Sequence, residues 1–131
     1  MKAATKTATT EIGAANFETI MKREGIVLID WWAPWCGPCR MFAPIFEAAA
    51  SKHPDITWGK VNTDAEQDLA GNFEIRSIPT LMAFRDGILV FEQPGMLPAA
   101  ALESLVAQIR ALDMDDVRKQ IAAAQATRAA S

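Results

Sequence analysis

The sequence predicts an α/β domain in which a central mixed β-sheet carries helices on both faces, with one extra helix at the C-terminus. Three observations carry this. "IVLIDWW" (26–32) is a near-continuous apolar run with β-branched and aromatic residues, the pattern of a strand buried on both faces. "CRMFAPIFEAAA" then switches to helical spacing, with Phe42, Ile45, Phe46 and Ala49 on one stripe. Later, "TLMAF" and "ILVFE" flank "RDG", whose Asp86-Gly87 pair makes a tight hairpin turn, so these two strands are antiparallel. Crossover helices first and a hairpin afterwards imply a mixed sheet covered on both sides.

Taken in order, residues 1–9 are Ala, Thr and Lys without periodicity and read as a flexible tail. "ANFETIMKREG" places Phe17, Ile20 and Met21 on one helical face, and Gly25 ends it. Pro44 falls inside the next helical pattern, so a kinked helix is expected there. "DITWGKVN" reads as a second strand, and Asp64 as the N-cap of a helix in "AEQDLAGNF", with Gln67 at the capping-box position. After the hairpin, "PAAALESLVAQIRAL" has Pro98 at the first helical position and Leu102, Leu105, Val106 and Ile109 on one face. The remainder, 113–131, is a helical extension or tail: Asp113 is a candidate cap, and Met114, Val117, Ile121 and Ala124 form a thin stripe.

Composition limits the function. At 131 residues and 50% hydrophobic, the chain suits one domain with a proper core. A balance of 13 basic against 16 acidic residues leaves no electrostatic footprint for nucleic acid or an anionic membrane. No apolar stretch reaches the roughly 18 to 20 residues that span a bilayer, and the lysines near the start have no apolar run behind them. The expectation is a mildly acidic cytoplasmic protein.

The two cysteines, Cys36 and Cys39, stand three residues apart at the start of the helix that follows "IVLIDWW". On a helix, i and i+3 share a face, so the two sulfurs can meet within one turn. Cys36 falls where unpaired N–H groups and the helix dipole favour negative charge, and the thiolate is the form that attacks disulfides. Cys39 lies a turn further in and acts second. Gly37 lets another chain approach, and Pro38 suits a first turn. A zinc or iron–sulfur site needs about four ligands, whereas the chain offers these cysteines and His53, which is read as a solvated residue at a helix end. A purely structural bridge would close too short a loop to stabilise much. A reversible redox dithiol is the favoured reading, with no metal.

"WCGPC", preceded by "DWWAP" and followed by "IRSIPT", resembles the thioredoxin family, and the likeness runs from about Ile12 to Leu112 through "GKVNTD", "RDG" and Pro94-Gly95. The corresponding division of the chain is a thioredoxin domain over 10–112 with the extension beyond it. The resemblance implies a general protein-disulfide reductase without a bound cofactor, re-reduced by a thioredoxin reductase, acting on disulfide-containing proteins, and monomeric. Cys36 would attack and Cys39 resolve. Asp30, at the end of the apolar strand, matches the buried aspartate that helps move the Cys39 proton; the plain alternative is a carboxylate reaching solvent at the strand end. Lys60 matches the lysine near that aspartate, against the alternative of a solvated strand lysine. The peptide bond Ile78-Pro79 is expected to be cis.

Trp35, Gly37, Pro38 and Ile78 would form part of an apolar apron for substrate, completed by Pro79, Pro94, Gly95 and Met96. Trp35 is the tryptophan expected at the surface. Departures from the commonest family pattern are Trp31, Pro34, Ser77 and Pro94, which bear on partner choice rather than chemistry. The competing functions are a thiol oxidase or disulfide isomerase on the same fold, and a binding module that does no redox chemistry.

Overall fold

The computed structural model describes residues 8–130. The expectation of a flexible tail therefore falls largely outside the described residues. Five strands form one sheet in the order β1 (Thr10–Glu11), β3 (Thr57–Asn62), β2 (Ile26–Trp32), β4 (Thr80–Arg85) and β5 (Ile88–Pro94). β1, β3 and β2 are mutually parallel, while β4 runs antiparallel to both β2 and β5. The mixed sheet matches the sequence reading. β1 has only two residues, too short for any periodicity to reveal.

Alternation along β2 divides the core in two. Ile26 and Leu28 pack with Trp58 of β3 against α2 (Gly37–Lys52) and α4 (Ala99–Arg110), through Phe42, Phe46, Leu102 and Val106. Val27, Ile29 and Trp31 point the other way, toward Phe17 and Ile20 of α1 (Phe17–Met21) and Leu69 of α3 (Gln67–Asn72). Gly59 is required by a close approach, since a Cβ there would collide with the side chain of Ile12, which it lets pack down onto the sheet. At the hairpin Asp86 (φ 53°) and Gly87 (φ 82°) both take positive φ, as the tight turn demands.

Several local expectations are corrected. α3 begins at Gln67 behind Glu66, which makes no side-chain cap, so Asp64 is not the N-cap. The Asn62 side chain instead accepts the N–H groups of Asp64 and Ala65, holding 62–66 as a turn, and Gln67 reaches back to the carbonyl of Asp64. Pro98 is the N-cap of α4 rather than its first residue. α2, by contrast, runs through Pro44 without a break, as expected of that helix. His53 is not a freely solvated side chain. Arg110, which can only donate, meets its Nδ1 at 3.1 Å, so Nε2 donates to Glu103 at 2.7 Å.

The extra helix, α5 (Met114–Ala130), starts where Asp113 accepts the N–H of Asp116 at 3.1 Å, so the expected cap is present. Arg85 Nη1 donates to the carbonyls of Ile109 (2.7 Å) and Leu112 (3.1 Å), and Arg118 reaches Asp86 at 3.6 Å. Met114 is buried and Val117 half-buried, but every residue from Arg118 to Ala130 is exposed. These contacts lie at the hairpin-turn end of the sheet. Truncation after Leu112 should therefore lower Tm by only a few degrees, the order expected for one buried methionine, and leave unchanged the disulfide-reducing turnover that the family resemblance implies. Thermal melts and disulfide-reduction assays on the truncated chain check both parts.

Candidate active site

β2 ends its hydrophobic course at Asp30, Trp31 and Trp32, and the chain turns through Ala33, Pro34 and Trp35 into α2. Arg40 Nη1 donates to the Pro34 carbonyl at 3.0 Å and holds that turn against the helix. Cys36 is the N-cap of α2, in an extended conformation (φ −84°, ψ 115°), and its sulfur accepts the Cys39 N–H at 3.2 Å. The helix start thus aims a free N–H and its dipole at that sulfur, which stabilises negative charge on it. Pro38 occupies the first turn, where its missing N–H costs nothing. Cys36 and Cys39 are disulfide-bonded, with Cα atoms 5.2 Å apart. Both residues are largely enclosed, at 4% and 2% exposure.

From the other side, the loop before β4 closes on the pair. The Ile78-Pro79 bond is cis, as expected, and the Ile78 carbonyl oxygen lies 3.7 Å from Cys36 Sγ. Ile78 and Trp32 pack on the small cluster of Ala33, Cys36 and Cys39. Thr80 donates to the Ser77 carbonyl at 2.6 Å, and Gly95 donates to the Pro79 carbonyl at 2.7 Å. This last bond fixes Pro94-Gly95, at the end of β5, beside the Pro79 loop. Pro94 pairs in register with Thr80 and offers no donor of its own. Met96 is half-buried against the α2–α4 core.

Trp35 is 68% exposed, with its indole N–H donating to Asp64 at 3.0 Å. Trp31 and Trp58 are buried and Trp32 is half-buried. Sequence reasoning missed Met41, which is 64% exposed and shares a helix face with Gly37 and Pro38. The signal was available: Met41 lies off the stripe formed by Phe42, Ile45 and Phe46, so an apolar residue there has no core to enter.

Asp30 is 0% exposed, and neither carboxyl oxygen has a hydrogen-bond partner among the described residues. By alternation it lies on the α2 face of β2, the face that also carries Trp32 and the cysteine cluster. Burial pushes its pKa from 3.8 up to about 7, and the positive charge of Lys60 pulls partly back. Lys60 is its register partner on β3, half-buried, with Nζ 4.9 Å from the centre of the Trp32 ring. The solvent-reaching alternative for Asp30 is therefore overturned, because its side chain is fully buried within the strand. Among the described residues no group of three or more His, Cys, Asp or Glu is placed to hold a metal ion.

A reducible cysteine pair at a helix start, facing a cis-proline loop and backed by a buried carboxyl group, defines a thiol–disulfide oxidoreductase. A Thioredoxin family model matches residues 8–108. The chain is 51% identical over 120 residues to a putative thioredoxin 2 of Streptomyces coelicolor, covering 92% of this chain and 90% of that protein. It is 41% identical over 103 residues to a thioredoxin of Alicyclobacillus acidocaldarius, covering 78% of this chain and 98% of the other. Among solved structures, a Malassezia sympodialis thioredoxin superposes with a TM-score of 0.71 at 28% identity, over 81% of this chain and 94% of that one. The chain belongs to the thioredoxin family.

Proposed function

We infer that this protein is a general protein-disulfide reductase that carries two electrons on Cys36 and Cys39. The observation that carries the reading is the Cys36 sulfur at the α2 N-cap, set against the Ile78 carbonyl beside cis-Pro79. The Cys36 thiolate attacks one sulfur of a substrate disulfide, forming a mixed disulfide and releasing the other substrate sulfur as a thiolate. Asp30, as carboxylate, takes the proton from Cys39. The Cys39 thiolate attacks Cys36 Sγ, the mixed bond breaks, and the second substrate thiolate leaves while the Cys36–Cys39 disulfide forms. Lys60 holds down the cost of ionising Asp30, so the carboxylate form is reached near neutral pH.

An extended substrate segment docks along the Ile78 backbone, a short case of strand addition. Trp35, Gly37 and Pro38 border it on the helix side, and Pro79, Pro94, Gly95 and Met96 on the loop side. The exposed Met41 widens the helix side. A thioredoxin reductase returns the disulfide to the dithiol, with no bound cofactor on this chain, and the protein works as a cytoplasmic monomer. No helix in the described residues is long and apolar enough to cross a membrane.

The testing experiment is a redox titration of the Cys36/Cys39 pair in defined thiol–disulfide buffers, followed by tryptophan fluorescence. The expected potential is more negative than that of the glutathione pool, so that the reduced protein drives electrons into substrates. A more positive value would turn the reading to an oxidase or isomerase. Function surviving a Cys36→Ser/Cys39→Ser double variant would turn it to a binding module.

A further inference from the structure

Lys60 stands in the middle of a row of charge that crosses three strands. Asp30 of β2 is its register partner on one side and Glu11 of β1 on the other. Lys60 shares a polar cavity of about 310 Å³ with Glu11, Thr9, Trp32 and Glu47. Glu47 comes down from α2, two turns beyond Cys39 on the row Cys39, Ala43, Glu47. Its carboxylate accepts the Thr9 hydroxyl at 2.7 Å, which ties the segment before β1 to the helix covering the site. The cavity is far larger than the roughly 30 Å³ share of one water molecule, and its lining carries polar groups able to hold water. Lys60 therefore has a buried carboxyl group on one side and two solvent-side carboxylates on the other.

The ionisable groups facing Asp30 from the elements packed on it are few. β3 brings Lys60, β1 brings Glu11 beyond it, and α2 brings Cys39 and Glu47. β4 sets apolar Leu81 next to Asp30, and α4 presents Leu102, Leu105, Val106 and Ile109 to the core.

We propose that Glu47 and Glu11 are positioning residues for the proton relay: sharing the cavity with Lys60 without an ion pair to it, their negative charge offsets part of the Lys60 field, so that Asp30 feels only part of that charge and can still hold a proton. The inference rests on the relay role of Asp30 given above. Glu47 and Glu11 touch neither substrate nor sulfur, and act only through Lys60. Removing their charge leaves Lys60 uncompensated. The Asp30 carboxylate is then better stabilised, so Asp30 gives up its proton at lower pH and becomes a weaker base for Cys39.

The test is the titration of Asp30 itself, by its side-chain carboxyl carbon resonance in the intact disulfide form, in the full chain and in Glu47→Gln, Glu11→Gln and the double variant. Each single substitution should move the midpoint down by about half a pH unit, roughly a threefold change in the dissociation constant, and the double variant further. The pH at which mixed-disulfide resolution is half-maximal should move down with it. A midpoint unmoved in the double variant overturns the proposal, even if Asp30→Asn slows resolution. If the midpoint moves as expected while Asp30→Asn leaves resolution untouched, the charge coupling stands and the relay role of Asp30 falls. Thr9→Val separates a held Glu47 from a merely nearby one, since only the former predicts a shift in the same direction.

Discussion

Replacing Cys39 with serine is expected to stop the cycle at its midpoint: the mixed disulfide accumulates and turnover falls by roughly a thousandfold or more. Cys36→Ser, by contrast, should form no adduct at all. The two residues barely differ in exposure, so accessibility does not assign their order. Position on the helix does. Cys36 is the cap, receives the Cys39 N–H at 3.2 Å, and faces the Ile78 carbonyl along which a substrate strand would lie. A side chain placed at Gly37 would meet nothing within 4 Å, so the space above this turn is open to an incoming chain. Cys39 sits inside the first turn, on the face turned to the core, and its natural reach is back to Cys36. Mass spectrometry of each variant after incubation with a disulfide protein decides. Adducts on Cys36→Ser and none on Cys39→Ser would reverse the two roles.

Asp30→Asn should have two opposite effects in one variant. Resolution of the mixed disulfide should slow by roughly a hundredfold at neutral pH, because the amide cannot take the Cys39 proton. Stability should rise, and the sign follows from burial. The folded state holds the Asp30 proton up to about pH 7, whereas the unfolded chain releases it near 3.8. Between those values the folded state binds more protons, so ionisation works against folding as pH rises through that window. At about 1.4 kcal/mol per pH unit, the full penalty above pH 7 is on the order of 4 kcal/mol, less whatever relaxation and water entry return. Asparagine removes the penalty and keeps the shape. Denaturant unfolding should therefore show the variant more stable by about 2–4 kcal/mol at pH 8, with the difference gone below pH 4. Greater stability without slower resolution would leave Asp30 a buried group with no part in proton transfer. Equal stability at pH 8 would mean the carboxyl group is solvated after all.

The sequence by itself determined the elements whose signal is local. The unbroken apolar run of β2, the stripe of Phe42 and Phe46, and the Asp86-Gly87 turn each state a period or a backbone requirement within a few residues. The active-site cysteines were legible for the same reason, since their spacing and their place at a helix start are adjacent facts. Pro79 and Lys60 were singled out only through resemblance, because nothing within "SIPT" or "GKV" specifies which strand will lie alongside.

What the tertiary structure decided are the pairings between distant segments. β1 exists because β3 offers it an open parallel edge, and two residues have no period of their own. Asp64 looked like a helix cap, yet Asn62 took over the turn and freed its carboxylate for the Trp35 indole 29 residues away. His53 looked solvated until α4 brought Glu103 and Arg110 to its two nitrogens. The burial of Asp30, and the row that links it through Lys60 to Glu11 and Glu47, depends on three strands and one helix meeting on one face. Local propensity acts along the chain, whereas desolvation and charge act through space, and only folding converts the first into the second.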